Sequence, residues 1–199
     1  MSVLWILGEA KSGKSELGEE IFHRLPGRKF YIGTLPRTPE NAEQIRKHDE
    51  RRPRDWELIE ITDDLSVATR VIESRGPEGA AVLLDGFGVY VQECAQRWES
   101  EHPHLTIEAE APFVEATCRA YAALAGQCGY LIVVDHISAD APTMLDYVQD
   151  RMRWRLREVA TQCRTGADHV IYHDRADVTH TDTCFVEGVA TLLIAQPAQ

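Results

Sequence analysis

The feature that most constrains the fold of this chain is a glycine-rich pattern close to its amino terminus. Residues 8–15 match G-x-x-x-x-G-K-[ST], the pattern of a phosphate-binding loop. The apolar run Val3–Leu7 precedes the pattern, and a helix-forming stretch, Glu16–Leu25, follows it. This order predicts a strand, a loop that surrounds phosphate groups, and a helix whose positive amino-terminal end faces them.

The residue types of the loop suit a nucleoside triphosphate with Mg²⁺. Small residues let the backbone curl so that successive N–H groups point at one anion. We expect Lys14 to neutralise the outer phosphates and the hydroxyl of Ser15 to bind Mg²⁺. The residues expected to contact the nucleotide are Gly8, Glu9, Ala10, Lys11, Ser12, Gly13, Lys14 and Ser15.

Beyond the loop, short apolar runs alternate with helix-like segments. The predicted strands are Lys29–Gly33, Trp56–Ile61, Ala80–Asp85, Tyr130–Asp135 and His169–Tyr172. The predicted helices are Pro39–Arg51, Leu65–Ser74, Val89–Glu99, Ala111–Gly126 and Thr143–Thr165. This alternation predicts an α/β layered fold of the P-loop NTPase type, with a mostly parallel central sheet flanked by helices. Since no linker or repeat divides the chain, we expect residues 1–199 to form a single nucleotide-binding domain.

Charge and composition restrict the partners. A net charge of -11 repels polyanions, so nucleic acid is not expected as a partner. The apolar start lacks a basic lead and runs directly into the loop, so we expect neither a signal peptide nor a membrane span. The five cysteines form no C-x-x-C pair, which favours reduced thiols and a cytoplasmic protein.

A basic cluster stands out in this acidic chain, and a histidine lies within it. Its cationic residues are Arg46, Lys47, Arg51, Arg52 and Arg54. Such clusters are usually solvated helix faces, but binding a triphosphate to an acidic protein requires local positive potential. His48 is either an exposed side chain or a nucleophile whose neutral ring nitrogen attacks phosphorus.

Two aspartates end predicted strands, where function collects in α/β folds. Asp85 is expected to be the second acidic anchor of the magnesium, either as a ligand or by holding its water, and Asp135 is the alternative. Either aspartate could instead cap the helix that follows its strand. We favour Asp85 because its strand is the more buried in character.

Taken together, these motifs resemble the adenosylcobinamide kinase/adenosylcobinamide-phosphate guanylyltransferase family of cobalamin assembly. That family has the loop G-x-A-R-S-G-K-S, then Y-I-A-T, then a helix with a histidine shortly before R-P and a tryptophan. The corresponding segments here are residues 8–15, Tyr31-Ile-Gly-Thr34 and the run Glu43–Trp56, which contains His48. Val82–Asp85 is similar to a fourth landmark, in which an acidic residue ends a strand and supports magnesium.

The resemblance implies two reactions at one nucleotide site. A nucleoside triphosphate, GTP or alternatively ATP, phosphorylates the corrinoid adenosylcobinamide, and GTP then guanylylates His48 before GMP passes to the cobinamide phosphate. It also implies Mg²⁺ at Ser15 and Asp85, a catalytic role for Lys14, and a homo-oligomer. The further nucleotide contacts that we expect are Thr34, Arg46, Arg51 and Arg52.

The second half of the chain departs from the family pattern and leaves two alternatives open. Asp135-His136-Ile137-Ser138 replaces N-E-V-G, and residues 150–157 are rich in arginine where the family has a different signature. One arginine face of that predicted helix, 151 with 155 or 153 with 157, could act as a phosphate clamp or simply be solvated. The alternatives are a P-loop kinase for another small metabolite and a nucleotide-binding regulator without catalysis.

Overall fold

A computed structural model describes residues 1–102, 110–136, 150–173 and 183–195, which contain six strands and seven helices. The strands are β1 (Ser2–Leu7), β2 (Lys29–Gly33), β3 (Glu57–Glu60), β4 (Ala81–Asp85), β5 (Tyr130–Asp135) and β6 (His169–Tyr172). The helices are α1 (Lys14–Arg24), α2 (Ala42–Arg51), α3 (Leu65–Arg75), α4 (Phe87–Glu101), α5 (Ala111–Ala125), α6 (Arg151–Arg164) and α7 (Thr183–Ala195).

The strands form one sheet in the order β3-β2-β4-β5-β1-β6. Every pairing in this sheet is parallel, so the predicted α/β fold with its mostly parallel sheet is confirmed. At the carboxyl edge, Leu7 pairs with Asp135 and Gly33 pairs with Asp85. The phosphate-loop pattern and both strand-end aspartates therefore lie at the same edge.

Helices cover both faces of the sheet because the central strands are apolar on both sides. In β1, Val3, Trp5 and Leu7 pack into one core cluster, while Leu4 and Ile6 pack into another. This is the two-residue alternation of a strand. Helices α3 to α6 contribute to the first cluster, and α1 and α7 contribute to the second.

The element boundaries differ from the prediction in several places. The expected strand Trp56–Ile61 is shorter, because β3 pairs with β2 only over Glu57–Glu60. Of the expected helix Thr143–Thr165, residues 143–149 lie outside the described residues. Residues 174–182, which are rich in histidine and aspartate, also lie outside them.

Helix α7 was not predicted at all. Val186, Ala190 and Leu193 are buried at intervals of four and three residues, which is helical periodicity, and they cover the second core cluster.

The arginine-rich helix α6 does not place Arg155 at a phosphate site. Its guanidinium is fully buried and donates to both carboxylate oxygens of Glu110 at 2.7 Å, and it also donates to Glu99. The prediction of a clamp or a solvated face is therefore wrong for Arg155. A buried guanidinium requires such partners, and Arg155 consequently ties α6 to the start of α5 and to α4.

Helix α2, which carries His48, is a surface helix. It has no buried residue, and its strongly polar composition explains why. Polar side chains attach it to the rest of the fold: His48 and Arg51 contact Glu19 on α1. The position of α2 therefore depends on polar contacts rather than on apolar burial.

Candidate nucleotide-binding site

The loop between β1 and α1 has the backbone that its glycines require. Gly13, at the start of α1, has φ +93°, a conformation that side chains with a Cβ rarely adopt. At Gly8, a Cβ would lie 2.3 Å from the carbonyl oxygen of His173, at the end of β6. Both positions therefore need glycine, as the phosphate-loop pattern predicted.

The polar groups of Lys14 and Ser12 are suited to bind an anionic ligand at the loop. The Lys14 Nζ donates to the carbonyl oxygen of Glu9 at 2.9 Å. Burial lowers the pKa of Lys14, while the carboxylates of Asp85 and Asp135 act in the opposite direction. The buried hydroxyl of Ser12 has no hydrogen-bond partner within the described part of the chain, so a bound group would satisfy it.

Asp85 connects the loop to the rest of the site. Its Oδ1 accepts a hydrogen bond from the Ser15 hydroxyl at 3.1 Å, and its Oδ2 accepts one from the hydroxyl of Tyr31. Carboxylate and hydroxyl oxygens are the ligands that Mg²⁺ prefers. The side chains of Ser15 and Asp85 therefore have the chemistry and the proximity to hold a magnesium ion.

His48 lies against the same carboxylate. Its Nδ1 is 3.7 Å from Asp85 Oδ2, 3.3 Å from the Tyr31 hydroxyl and 3.2 Å from Glu19 Oε1. The side chain is only 13% exposed, which excludes the interpretation of His48 as a solvated side chain. The Asp85 carboxylate thus contacts Ser15 with one oxygen and lies beside His48 with the other.

Glu19 and Arg51 complete the surroundings of the imidazole. Arg51 donates from Nε to Glu19 Oε2 at 3.2 Å and from Nη1 to Glu16 Oε1 at 2.6 Å. Burial alone would raise the pKa of Glu19, but hydrogen bonds and charges from His48 and Arg51 lower it overall. Glu19 is therefore an ionised acceptor that is only 10% exposed.

A cation could also bind between these groups. The ligand atoms of Glu19, His48 and Asp85 lie within 4.8 Å of one another. Hydrogen bonds from Arg51 and Tyr31 occupy the two carboxylates in the structure.

The remaining residues that were predicted to contact the nucleotide lie in three different environments. Arg46 is exposed and pairs with Glu43 and Glu50 on its own helix, so the structure does not bring it to the loop. Arg52 stacks its guanidinium 3.7 Å from the centre of the Tyr31 ring. The buried Thr34 hydroxyl lies 3.0 and 2.7 Å from the carbonyl oxygens of Asp85 and Gly86, where it holds the end of β4 in place.

Asp135 makes different contacts from Asp85. Its Oδ1 accepts hydrogen bonds from the backbone N–H of Gly88 at 3.1 Å and of His136 at 2.7 Å, whereas its Oδ2 has no partner among the described residues. Burial raises its pKa to about 6. Asp135 thus caps the first turn of α4, a helix that precedes β5 in the chain, whereas the alternative predicted a cap on the helix that follows the strand.

Glu19 and Tyr31 are site residues that the sequence analysis did not select. Glu19 follows Ser15 by four residues on α1, so both side chains face the same direction. This spacing was a usable signal. Tyr31 stood in a quoted motif, but its role depends on the pairing of β2 with β4, which brings it beside Asp85.

A cleft opens next to His48 and Asp85. Its cavity volume is about 80 Å³, without the open solvent at its mouth. Its lining includes the side chains of Tyr31, Gln44, His48, Arg52 and Val89. The mixture of apolar, aromatic and polar groups is typical of small-molecule sites.

Comparison with known protein families decides the relationship of this chain. The family model described as cobinamide kinase / cobinamide phosphate guanyltransferase matches residues 4–140. The chain belongs to this family. The match covers the phosphate loop, α2 with His48, and both strand-end aspartates of this cobinamide kinase / guanyltransferase relative.

Other comparisons concern the fold alone. A solved structure described as a prototypical ATPase from the type III secretion system of pathogenic bacteria has a TM-score of 0.52 and 14% identity. The match covers 85% of this chain, which spans half of that ATPase chain. No curated protein is significantly similar to this cobinamide kinase / guanyltransferase family member in sequence.

Proposed function

We propose that this family member phosphorylates adenosylcobinamide and transfers GMP from GTP to adenosylcobinamide phosphate through a guanylylated His48. The observation that carries the proposal is the Asp85 carboxylate, which lies between the Ser15 hydroxyl of the phosphate loop and the imidazole of His48. A histidine beside the phosphate loop suits nucleotidyl transfer, because a kinase alone needs no nucleophilic side chain.

In the kinase reaction, the loop holds the triphosphate of GTP or ATP. Lys14 and the loop N–H groups bind phosphate oxygens, and Ser15 and Asp85 would hold Mg²⁺, which neutralises charge on the transferred phosphoryl group. The acceptor hydroxyl attacks the γ-phosphorus, and the electron pair of the broken bond leaves with the nucleoside diphosphate. Arg51 adds positive charge at the edge of the site.

In the guanylyl transfer, a ring nitrogen of His48 attacks the α-phosphorus of GTP and pyrophosphate leaves with the electron pair of the broken P–O bond. A phosphate oxygen of cobinamide phosphate then attacks the same phosphorus. The P–N bond breaks, and its electron pair returns to the ring nitrogen. The cleft beside His48 is the space that we propose for the corrinoid arm or the nucleobase.

The proposal also covers the whole molecule. Residues 1–199 would act as a single nucleotide-binding domain, working in the cytoplasm as a homo-oligomer without nucleic acid. Among the helices that the structure describes, none has the length and apolar character needed to cross a membrane.

Labelled GTP tests the proposal. With α-labelled GTP, we expect label on the protein that survives alkali and is lost in acid, as a histidine–phosphorus bond requires. His48→Ala should abolish this label while phosphorylation of adenosylcobinamide by γ-labelled GTP stays within about threefold of wild type. His102→Ala is the matched control, because His102 is exposed and follows the far end of α4.

Lys14→Ala should lower both reactions by about 10²–10³-fold, because they share the phosphates. Lys47→Ala is the corresponding control, since Lys47 is an exposed α2 residue near Glu43. Transfer of γ-label without protein labelling would instead indicate a kinase only. Binding of GTP without either reaction would indicate a regulator.

A further inference from the structure

Glu19 contacts the imidazole of His48 without reaching the phosphate loop itself. It lies on α1, one turn after Ser15, and its Oε1 is 3.2 Å from His48 Nδ1. The side chains of both residues are nearly buried, at 10% and 13% exposure. The contact joins residues on two helices and is one of the few that hold the polar helix α2 in place.

The groups around Nδ1 indicate which ring nitrogen of His48 carries the hydrogen. The Glu19 carboxylate can only accept, and the Tyr31 hydroxyl, which donates to Asp85, also offers an acceptor oxygen to Nδ1. Arg51 Nη2 is a donor 3.4 Å from Nδ1, but it also lies 3.3 Å from Glu19 Oε1.

The remaining donors of Arg51 are directed at carboxylates as well. The guanidinium therefore does not require the ring nitrogen as an acceptor, whereas the Glu19 carboxylate gains a donor if Nδ1 carries a hydrogen. In a neutral ring, a hydrogen on Nδ1 leaves the lone pair on Nε2. The described residues form no hydrogen bond to Nε2.

We infer that Glu19 is a positioning residue that holds His48 as the Nδ1–H tautomer, so that Nε2 is the atom that attacks the α-phosphorus of GTP. This inference rests on the proposed function. The carboxylate thereby selects the attacking atom and fixes the ring plane, as a carboxylate does for histidines in other catalytic and metal sites.

The bond changes balance with this assignment. The Nε2 lone pair forms the P–N bond while the bond from the α-phosphorus to the bridging oxygen breaks, and pyrophosphate takes that electron pair. The Nδ1 hydrogen stays on the ring, and the positive charge that develops on the imidazole faces the Glu19 carboxylate. When the phosphate acceptor attacks, the electron pair of the P–N bond returns to Nε2.

The first test uses the free protein and needs no turnover. In ¹⁵N-labelled wild type at a pH where the ring is neutral, NMR should show a protonated Nδ1 and an unprotonated Nε2 for His48. Glu19→Ala should shift the ring towards the Nε2–H tautomer, while Glu20→Gln, an exposed neighbour on α1, should leave it unchanged. A wild-type ring with the hydrogen on Nε2 would overturn the inference.

The second test measures single-turnover labelling with saturating α-labelled GTP. Glu19→Ala should slow protein guanylylation about 10–100-fold, a larger loss than any change in GTP affinity or cobinamide phosphorylation measured on the same variant. Glu19→Gln keeps an acceptor oxygen and should lose less, and Glu20→Gln should match wild type. The isolated guanylylated histidine should carry phosphorus on Nε2.

The outcomes distinguish a failure of the proposed transferase reaction from a failure of the role inferred for Glu19. If wild type forms no bond to GMP, the proposed transferase reaction fails, while the tautomer measurement still judges the contact with Glu19. If wild type is labelled but Glu19→Ala reacts equally fast, or the phosphorus is on Nδ1, only the role of Glu19 is refuted. An equal loss of GTP affinity, phosphorylation and labelling in both Glu19 variants would make Glu19 structural and would also refute that role.

Discussion

At the scale of single residues, Asp135 is a fully buried carboxyl group in which one oxygen has lost water without gaining a hydrogen-bond partner among the described residues. Its Oδ1 is satisfied by two backbone N–H groups, but its Oδ2 has no partner in the described ranges. Burial raises its pKa from 3.8 to about 6, and the charges of His136 and Lys14 oppose that shift only in part. The ionised form of Asp135 therefore costs stability.

This cost predicts a pH-dependent stability. Between pH 4 and 6 the folded state keeps the proton that the unfolded state has released, so stability falls as pH rises and stays low above pH 6. Asp135→Asn retains the acceptor at Oδ1 and removes the charge. We expect the free energy of unfolding of the variant, taken relative to wild type, to be higher at pH 7.5 than at pH 4 by up to about 3 kcal/mol.

Urea unfolding at both pH values, followed by tryptophan fluorescence, measures the difference. Asp168→Asn is a comparison variant, because Asp168 accepts from the backbone of Val3 at the opposite end of β1. An equal difference between wild type and Asp135→Asn at both pH values would contradict the explanation.

Part of the site was predictable because its residues belong to a contiguous motif or end an apolar strand. Lys14, Ser15 and Asp85 are of this kind, and the structure brings Ser15 and Asp85 together. Which arginines of α2 face inward was not predictable, because the rotation of the helix depends on contacts with α1. Arg46 consequently remains a surface residue, whereas Arg51 contacts Glu16 and Glu19.

At the scale of elements, α1 and α2 are joined by side-chain contacts but are stabilised differently. Helix α1 buries Leu17, Ile21 and Phe22 against the sheet, while α2 has no buried residue. A helix without apolar burial opens at low cost, because little hydrophobic free energy is lost. The nucleophile that we propose is therefore carried by a weakly held element.

Hydrogen exchange of the free protein tests this difference. Amides of α2 should exchange at least about tenfold faster than those in the middle of α1, because local opening of α2 exposes little apolar surface. Mass spectrometry on peptides covering 14–24 and 42–51 measures both helices in one sample. Equal protection would mean that the polar contacts of His48 and Arg51 hold α2 as firmly as a core helix.

At the scale of the whole molecule, the alternation of strands and helices was predictable, but the order of the strands was not. Apolar runs such as Tyr130–Asp135 indicate buried strands, yet nothing in their pattern says which strand lies beside which. Helix α7 was missed for a similar reason, because its pattern of apolar residues does not say which face of the sheet they cover.

The buried Arg155 joins three helices of one layer, through Glu110 at the start of α5 and Glu99 on α4. Arg155→Met should lower the free energy of unfolding by about 3–5 kcal/mol, because Glu110 stays buried without its partner. Chemical denaturation measures the loss. Arg119→Met is the matched control: Arg119 is exposed and pairs with the exposed Glu115 on its own helix, so stability should change by less than about 0.5 kcal/mol.

A double variant, Arg155→Met with Glu110→Leu, should recover most of the loss, since it removes the uncompensated charge. A single variant as stable as wild type would show that water reaches Glu110 and that the pair does not hold the layer together.

The insertion of β5 between β1 and β4 has a mechanical consequence. The strand that leads into the phosphate loop and the strand that ends in Asp85 are separated by two interstrand spacings, about 9–10 Å. The hydroxyl of Ser15 and the carboxylate of Asp85 meet only because the loop and α1 arch over the tip of β5. The bulk of the residues at that tip thus sets the distance that the loop and α1 must cross for Ser15 to reach Asp85.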